Sequence, residues 1–142
     1  MNTPLEAARA LHAALESGLH GEALRPYFTP DATVLEHPND IKPKGAIGSV
    51  ENMIAESTRG AGLLSSQTYA VREAIEHAPE TEALGLARDL AILRLTWTGI
   101  IARDLGPFRA GQVLTAHIAQ FIHVRHGRVA SIETFDCYEP FQ

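Results

Sequence analysis

Three stretches in the second half of the chain most constrain its fold: LAILRLTWTGIIAR (90–103), QVLTAHIAQFIHVR (112–125) and RVASIETFDCYE (128–139). Each is rich in β-branched and aromatic residues, the composition of a strand. The last two are joined by His126 and Gly127 alone. A two-residue link with a glycine able to take positive φ makes a tight hairpin. The first two are joined by the turn-rich DLGPFRAG (104–111). Long strands with short links form an antiparallel meander, and such a sheet needs a cover for its apolar face.

The first half supplies that cover. Thr3-Pro4-Leu5-Glu6 places a capping hydroxyl, a proline at the first helical position and a glutamate three residues beyond the cap. Leu5, Ala8, Leu11, His12 and Leu15 then recur at helical spacing, and Gly18 stops the helix. GEALRPYF (21–28) reads as a short helix or turn broken by Pro26, ATVLEH (32–37) as a short strand, and IGSVENMIAEST (47–58) as a third helix with Val50, Met53 and Ile54 inward. GAGLLSS (60–66) reads as a loop, QTYAVREAIEH (67–77) as a strand of mixed pattern, and PETEALGLARD (79–89) fits a loop or part of a hairpin. Helices followed by a meander define an α+β chain. Its 142 residues form one domain, 1–142, with no repeat or low-complexity segment.

Composition removes several function classes. The formal net charge is −5 and both signs are scattered, so there is no basic stripe for nucleic acid. Cys137 is the sole cysteine, so no intrachain disulfide forms, as suits a reducing compartment. The N-terminus is polar and helical rather than a signal peptide, and no apolar run approaches the roughly 20 residues that span a bilayer. A cytoplasmic protein is expected. Neither Gly-x-Gly-x-x-Gly, a P-loop nor His-Glu-x-x-His is present, and no nucleotide or metal cofactor is expected. His117 and His123 share a strand face but stand about 20 Å apart, too far to ligate one ion.

Alternation assigns faces. Thr115, His117, Ala119, Phe121 and His123 lie on one side of the middle long strand, with Leu114, Ala116, Ile118, Gln120 and Ile122 on the other. Ile132, Thr134, Asp136 and Tyr138 share a face of the last strand, and Leu93, Leu95, Trp97 and Ile101 share one of the first. Both faces of the middle strand carry apolar residues. Helices on one side and a second copy on the other would cover both, so a homodimer through the sheet is expected.

The order helix, short helix, FTPDATVLEHP, glycine plus helix, then long strands carrying WTG, HVRHGRV and ETFDCYEPF resembles the nuclear-transport-factor-2-like superfamily. That group includes the SnoaL-like polyketide cyclases and the ketosteroid isomerases. The resemblance covers nearly the whole chain. It implies a cone-shaped, curved antiparallel sheet wrapped around three N-terminal helices, with an apolar pocket at the open end. PDATVLEHP is similar to the segment that delivers the general base in the isomerases, where an acidic residue precedes the proline; in this chain His37 precedes Pro38, and the strand is one residue longer. Counting back from Asp31, His12 falls where the isomerases place an oxyanion-donating tyrosine. Counting back from Gly127, Ala119 falls where they place an acidic donor. The cyclases carry an aspartate near the end of the last strand, pointing into the pocket beside a histidine. Asp136 stands at about that position, and His117 on the neighbouring strand is the candidate partner.

The candidate catalytic residues are therefore Asp136, His117, His37 and His12, with Trp97, Leu95, Phe121, Thr115, Thr134 and Tyr138 as candidate pocket residues. A carboxylate beside an apolar pocket is a candidate general base, and an imidazole works as acid or base near neutral pH. Abstracting a proton next to a carbonyl needs a base and a donor for the enolate oxygen, and no cofactor. The expected partner is a small hydrophobic carbonyl compound. Two other readings share the fold: a module that binds an apolar ligand without transforming it, and an assembly domain whose working surface is the sheet.

Overall fold

The computed structural model describes residues 2–77 and 89–141. The ambiguous segment 79–89 lies outside them, Asp89 excepted.

Helix α1 (Pro4–Glu16) begins as its sequence dictates. The Thr3 hydroxyl accepts the Glu6 amide, and the Glu6 carboxylate accepts the Thr3 amide, closing a capping box with Pro4 in the first turn. The helix ends at Ser17, and Gly18 takes φ +92°. A 3-10 helix, Gly21–Tyr27, follows and contains Pro26 rather than ending at it. Strand β1 (Phe28–Glu36) leads through a loop to β2 (Ala46–Ser49). Helix α2 (Val50–Gly60) is capped by Ser49 and buries Val50 and Ile54. The remaining strands are β3 (Leu64–His77), β4 (Leu90–Ile101), β5 (Val113–Arg125) and β6 (Arg128–Tyr138).

Three boundaries differ most from the sequence expectation, the first being that of β1, which starts at Phe28 rather than Ala32. Residues 46–49 form a strand on the edge of β1, so the third helix starts later than expected. Ser49 marks the change, because its hydroxyl accepts the Asn52 amide and nucleates the first turn. Residues 64–66, expected as loop, already belong to β3.

The strands form one six-stranded curved sheet, ordered β2-β1-β6-β5-β4-β3. Its long meander is antiparallel as expected, with the β5–β6 hairpin closed by His126 (φ 54°) and Gly127 (φ 74°). The β1–β6 pairing is parallel, which makes the whole sheet mixed. Bulges at Val71/Glu73 in the β3–β4 pairing and at His123/Val124 in the β5–β6 pairing sharpen its twist. Helix α1 packs on the concave face, burying Ala7, Ala8, Leu11 and Ala14. Beneath it Leu93, Leu95, Ile122 and Val129 are fully buried. The result is the expected α+β cone of curved sheet around three helices. Among the described residues no helix is long and apolar enough to cross a membrane.

One glycine sets the shape of the open end. A Cβ on Gly99 would stand 2.4 Å from the Cη2 atom of Trp97, two residues back on the same face of β4. Gly99→Ala is therefore expected to displace the indole and destabilise the protein by about 1–3 kcal/mol, the usual cost of overpacking. Trp97 is the only tryptophan, so its emission spectrum and a urea titration check both effects.

Candidate active site

Strand register builds the site in rows. Tyr69, Trp97, Ala116 and Tyr138 pair across β3, β4, β5 and β6. The adjacent row is Val71, Leu95, Ile118 and Asp136. A third brings Gln120 of β5 beside Thr134 of β6, with Glu36 of β1 beyond it. All of these sit on the concave face, toward the end that α1 leaves open. Of these, Tyr69, Trp97, Tyr138, Ile118, Asp136, Gln120, Thr134 and Glu36, together with Gln67, Ile41 and Lys42, line a cleft of about 260 Å³.

Asp136 is half-buried in that cleft. Thr134 Oγ1 donates to its Oδ1 at 2.5 Å. Burial pushes the Asp136 carboxyl above the usual carboxylate range; the Thr134 hydrogen bond opposes this, the Glu36 charge adds to it and Lys42 opposes it. Burial, and then the charge of Asp136, also push the Tyr69 and Tyr138 phenols well up, so both stay protonated. Tyr69 donates to Gln67 Oε1 at 3.4 Å, and Trp97 Nε1 donates to the same oxygen at 2.9 Å. The Tyr138 hydroxyl has no hydrogen-bond partner among the described residues and remains available to a ligand. At the rim Lys42 Nζ lies 3.4 Å from Glu36 and 3.2 Å from Glu56. Burial presses the Lys42 ammonium down, but the two carboxylates outweigh it and hold its pKa up.

His12 reaches the site from α1. It is 5% exposed and stacks on Tyr69 with ring centroids 4.4 Å apart. Its Nε2 lies 2.9 Å from Gln120 Oε1, and Gln120 Nε2 donates to Thr134 Oγ1 at 3.4 Å. His12 therefore joins Asp136 through two intermediaries, without touching it.

The two other histidines face away. His117 pairs in register with Cys137, whereas Asp136 pairs with Ile118, so His117 stands on the convex face. It is exposed, with Nε2 2.8 Å from Glu139 Oε2. The expected pairing of His117 with Asp136 is corrected by that parity. The even-numbered set of β5 is the buried one, which also puts Thr115 and Phe121 outside the cleft. His37 follows Glu36, which faces inward, and so turns outward. It stacks on Phe135 at 4.1 Å and pairs with Glu133 at 2.7 Å. Leu95 is a fully buried wall residue beneath the cleft, while Trp97, Thr134 and Tyr138 line it.

Five polar residues of the site lay outside the sequence expectation: Glu36, Lys42, Gln67, Tyr69 and Gln120. Glu36 had a signal, since counting by two from the buried Ala32 through Val34 puts it inward. Lys42 had none, because it sits in an irregular loop. Among the described residues no group of three His, Cys, Asp or Glu side chains is placed to hold a metal ion.

A curved, open sheet around helices is the architecture this chain shares with solved structures described as SnoaL-like and ketosteroid isomerase-like. IdmH of Streptomyces antibioticus, provisionally classed as a polyketide cyclase, superposes with a TM-score of 0.70 at 20% identity, over 94% of this chain and 91% of that one. A protein of Jannaschia sp. CCS1, provisionally classed as a SnoaL-like polyketide cyclase, matches with a TM-score of 0.64 at 16% identity, over 94% and 84%. A ketosteroid isomerase-like fold from Catenulispora acidiphila, solved with trimethylamine, matches with a TM-score of 0.63 at 19% identity, over 91% and 83%. No family model and no curated protein sequence matches the chain. At these identities it is the fold that is shared, and it is the fold the sequence resemblance implied.

The shielded carboxylate has a measurable consequence for stability. A folded-state pKa above the unfolded one means that the native protein binds the Asp136 proton more tightly. Stability then falls as pH rises from the unfolded value through the raised native value. Asp136→Asn, which removes the charge at constant shape, is expected to raise the melting temperature at pH 7–8. The advantage should shrink in acid, once the wild-type carboxyl is protonated. Thermal melts of both proteins across pH check this.

Proposed function

We propose that this protein is a cofactor-independent acid/base catalyst acting on a small hydrophobic carbonyl compound, with Asp136 as general base. The observation that carries the reading is a carboxylate, raised above its ordinary pKa, in an aromatic-walled cleft beside a phenol that keeps its proton. The provisional classing of two structural neighbours as polyketide cyclases supports it. A cleft of about 260 Å³ suits one or two fused rings.

In this scheme Asp136 removes a proton from the carbon next to a carbonyl. The C–H electron pair moves onto the carbonyl oxygen, and the Tyr138 O–H donates to that oxygen as it becomes an enolate. Reprotonation at a conjugated carbon gives isomerisation. Attack of the enolate carbon on a second carbonyl forms a C–C bond, and the resulting alkoxide takes the proton back from Asp136. Neither route oxidises or reduces anything. His117 and His37 take no part, and His12 has already committed its proton to Gln120.

The test needs no known product. Hydroxyaromatic ketones and enones of one or two rings are screened by thermal shift, since a ligand of the folded state raises the melting temperature. Binders are then followed by NMR for exchange of the protons next to the carbonyl in D₂O. Wild-type protein should catalyse the exchange, faster as pH rises through the raised Asp136 pKa, and Asp136→Asn should lose about 10²–10⁴-fold. Equal exchange in both proteins would instead leave the second reading, an apolar-ligand carrier. That reading draws on polar groups already paired along His12, Gln120, Thr134 and Asp136.

We infer also that the convex face seats a second copy of the chain. Ile75, Ile92 and Phe121 pair in one row across β3, β4 and β5, with the exposed Phe135 beside them on β6. A row of large apolar side chains across an open sheet favours a self-complementary contact. Light scattering should give twice the 15.4 kDa chain mass, and Phe135→Lys should halve it. A monomeric wild type would sink the inference.

A further inference from the structure

Among the described residues one buried side-chain nitrogen or oxygen lacks a partner: Nδ1 of His12. An orphaned buried atom in a histidine only 5% exposed calls for a cause. The direction of the hydrogen bonds supplies it. An ionised Asp136 only accepts, so the 2.5 Å contact puts the Thr134 hydroxyl proton on the carboxylate. Thr134 Oγ1 then has only lone pairs to offer Gln120, and Gln120 must present its NH₂ there. That leaves Gln120 Oε1 facing His12, and an amide oxygen only accepts, so His12 carries its proton on Nε2. A neutral imidazole has one N–H. Nδ1 is left bare, and burial keeps it from gaining a second proton. The near-parallel stack on Tyr69, at 6°, holds the ring plane in place.

We propose that His12 is the positioning residue of the site: by occupying Gln120 Oε1 it stops the amide from turning over, and so keeps the Thr134 hydroxyl proton on Asp136. Thr134 has one proton and two possible acceptors. If the amide turned over, Gln120 Oε1 would take that proton, and Asp136 would lose its one hydrogen-bond donor among the described residues. Helix α1 thus sets the basicity of a carboxylate on the last strand. The proposal rests on the reading of Asp136 as the base. The other groups facing Asp136 are Glu36 and Lys42 from β1 and its following loop, Tyr69 from β3 and Tyr138 from β6. Those facing His12 are Arg9 and Glu16 of its own helix and Tyr69. The variants below leave all of them in place.

The Asp136 side-chain carboxyl carbon is followed by NMR through a pH titration in wild type, His12→Phe, Gln120→Leu and the double variant. Phenylalanine keeps a ring against Tyr69 and removes the donor. Its Asp136 midpoint should move up by roughly one pH unit, the worth of one hydrogen bond to a charged group. Gln120→Leu removes the competing acceptor, so its midpoint should stay near wild type, and the double variant should return there. Loosened packing would show no such rescue. An unmoved midpoint in His12→Phe overturns the proposal, as does one that stays raised in the double variant. Long-range ¹H–¹⁵N spectra of the unaltered protein give an independent reading, since an Nδ1–H tautomer of His12 would contradict it. These readouts use no substrate, so they stand apart from the exchange assay on Asp136→Asn, which tests the base itself.

Discussion

The packing of α1 onto the concave face of the sheet is the contact on which the rest depends. Half of the buried residues of α1 are alanine, with Ala7, Ala8 and Ala14 around Leu11. Small side chains let the helix approach closely, and the bulk is supplied from below by Leu93, Leu95, Ile122 and Val129. Burying that apolar surface, at about 25 cal/mol per Å², is what holds the curved, open sheet against the helix. The helix is too short to cover the whole concavity. Along the inward face of β4 burial dips at the half-buried Trp97, between Leu95 and the buried Gly99 and Ile101, and the cleft opens there. His12 lies on this boundary, on the stripe that meets the core, with its Nε2 turned toward Gln120.

The same contact explains what the sequence made legible. Helix spacing up to Leu15, the capping box at Thr3 and the His-Gly hairpin are local signals, and each survives into the structure because tertiary packing agrees with it. The α+β class and the last strand's inward face, Thr134, Asp136 and Tyr138, follow from such signals. Strand β2 did not, since four residues beside a helix cap carry too little pattern to separate from the helix. The parity of β5 was the decisive ambiguity. Phe121 and Ala119 on one face look as apolar as Ala116 and Ile118 on the other, and only pairing with β6 settles which set is buried. One residue of parity moves His117 out of the site and Gln120 into it. The extra residue before Pro38 does the same for His37 and Glu36.

The charges left in the cleft are few and mutually adjusted. Burial and the Glu36 charge raise the Asp136 pKa, while the Thr134 hydrogen bond and the Lys42 charge pull against that rise. Such a group costs stability in the folded state whenever it is charged. Its effect extends to its neighbours, because the Asp136 charge is part of what keeps Tyr69 and Tyr138 in their protonated forms.

That coupling bears on how a base and a donor share one small space. While Asp136 is charged, the phenol of Tyr138 holds its proton tightly and is a weak acid. In the proposed scheme, once Asp136 has taken a proton from carbon its charge is gone and that restraint on Tyr138 is lifted. At the same moment negative charge appears on the substrate oxygen, where a more acidic phenol makes the stronger hydrogen bond. The net charge of the cleft does not change during the step. It moves from one oxygen to another within walls already arranged for it, so little reorganisation is needed. A histidine facing the ligand would add a second titrating group near neutral pH and disturb that balance. With His117 and His37 outside and burial disfavouring the charged form of His12, the proposed scheme needs only a single proton in play.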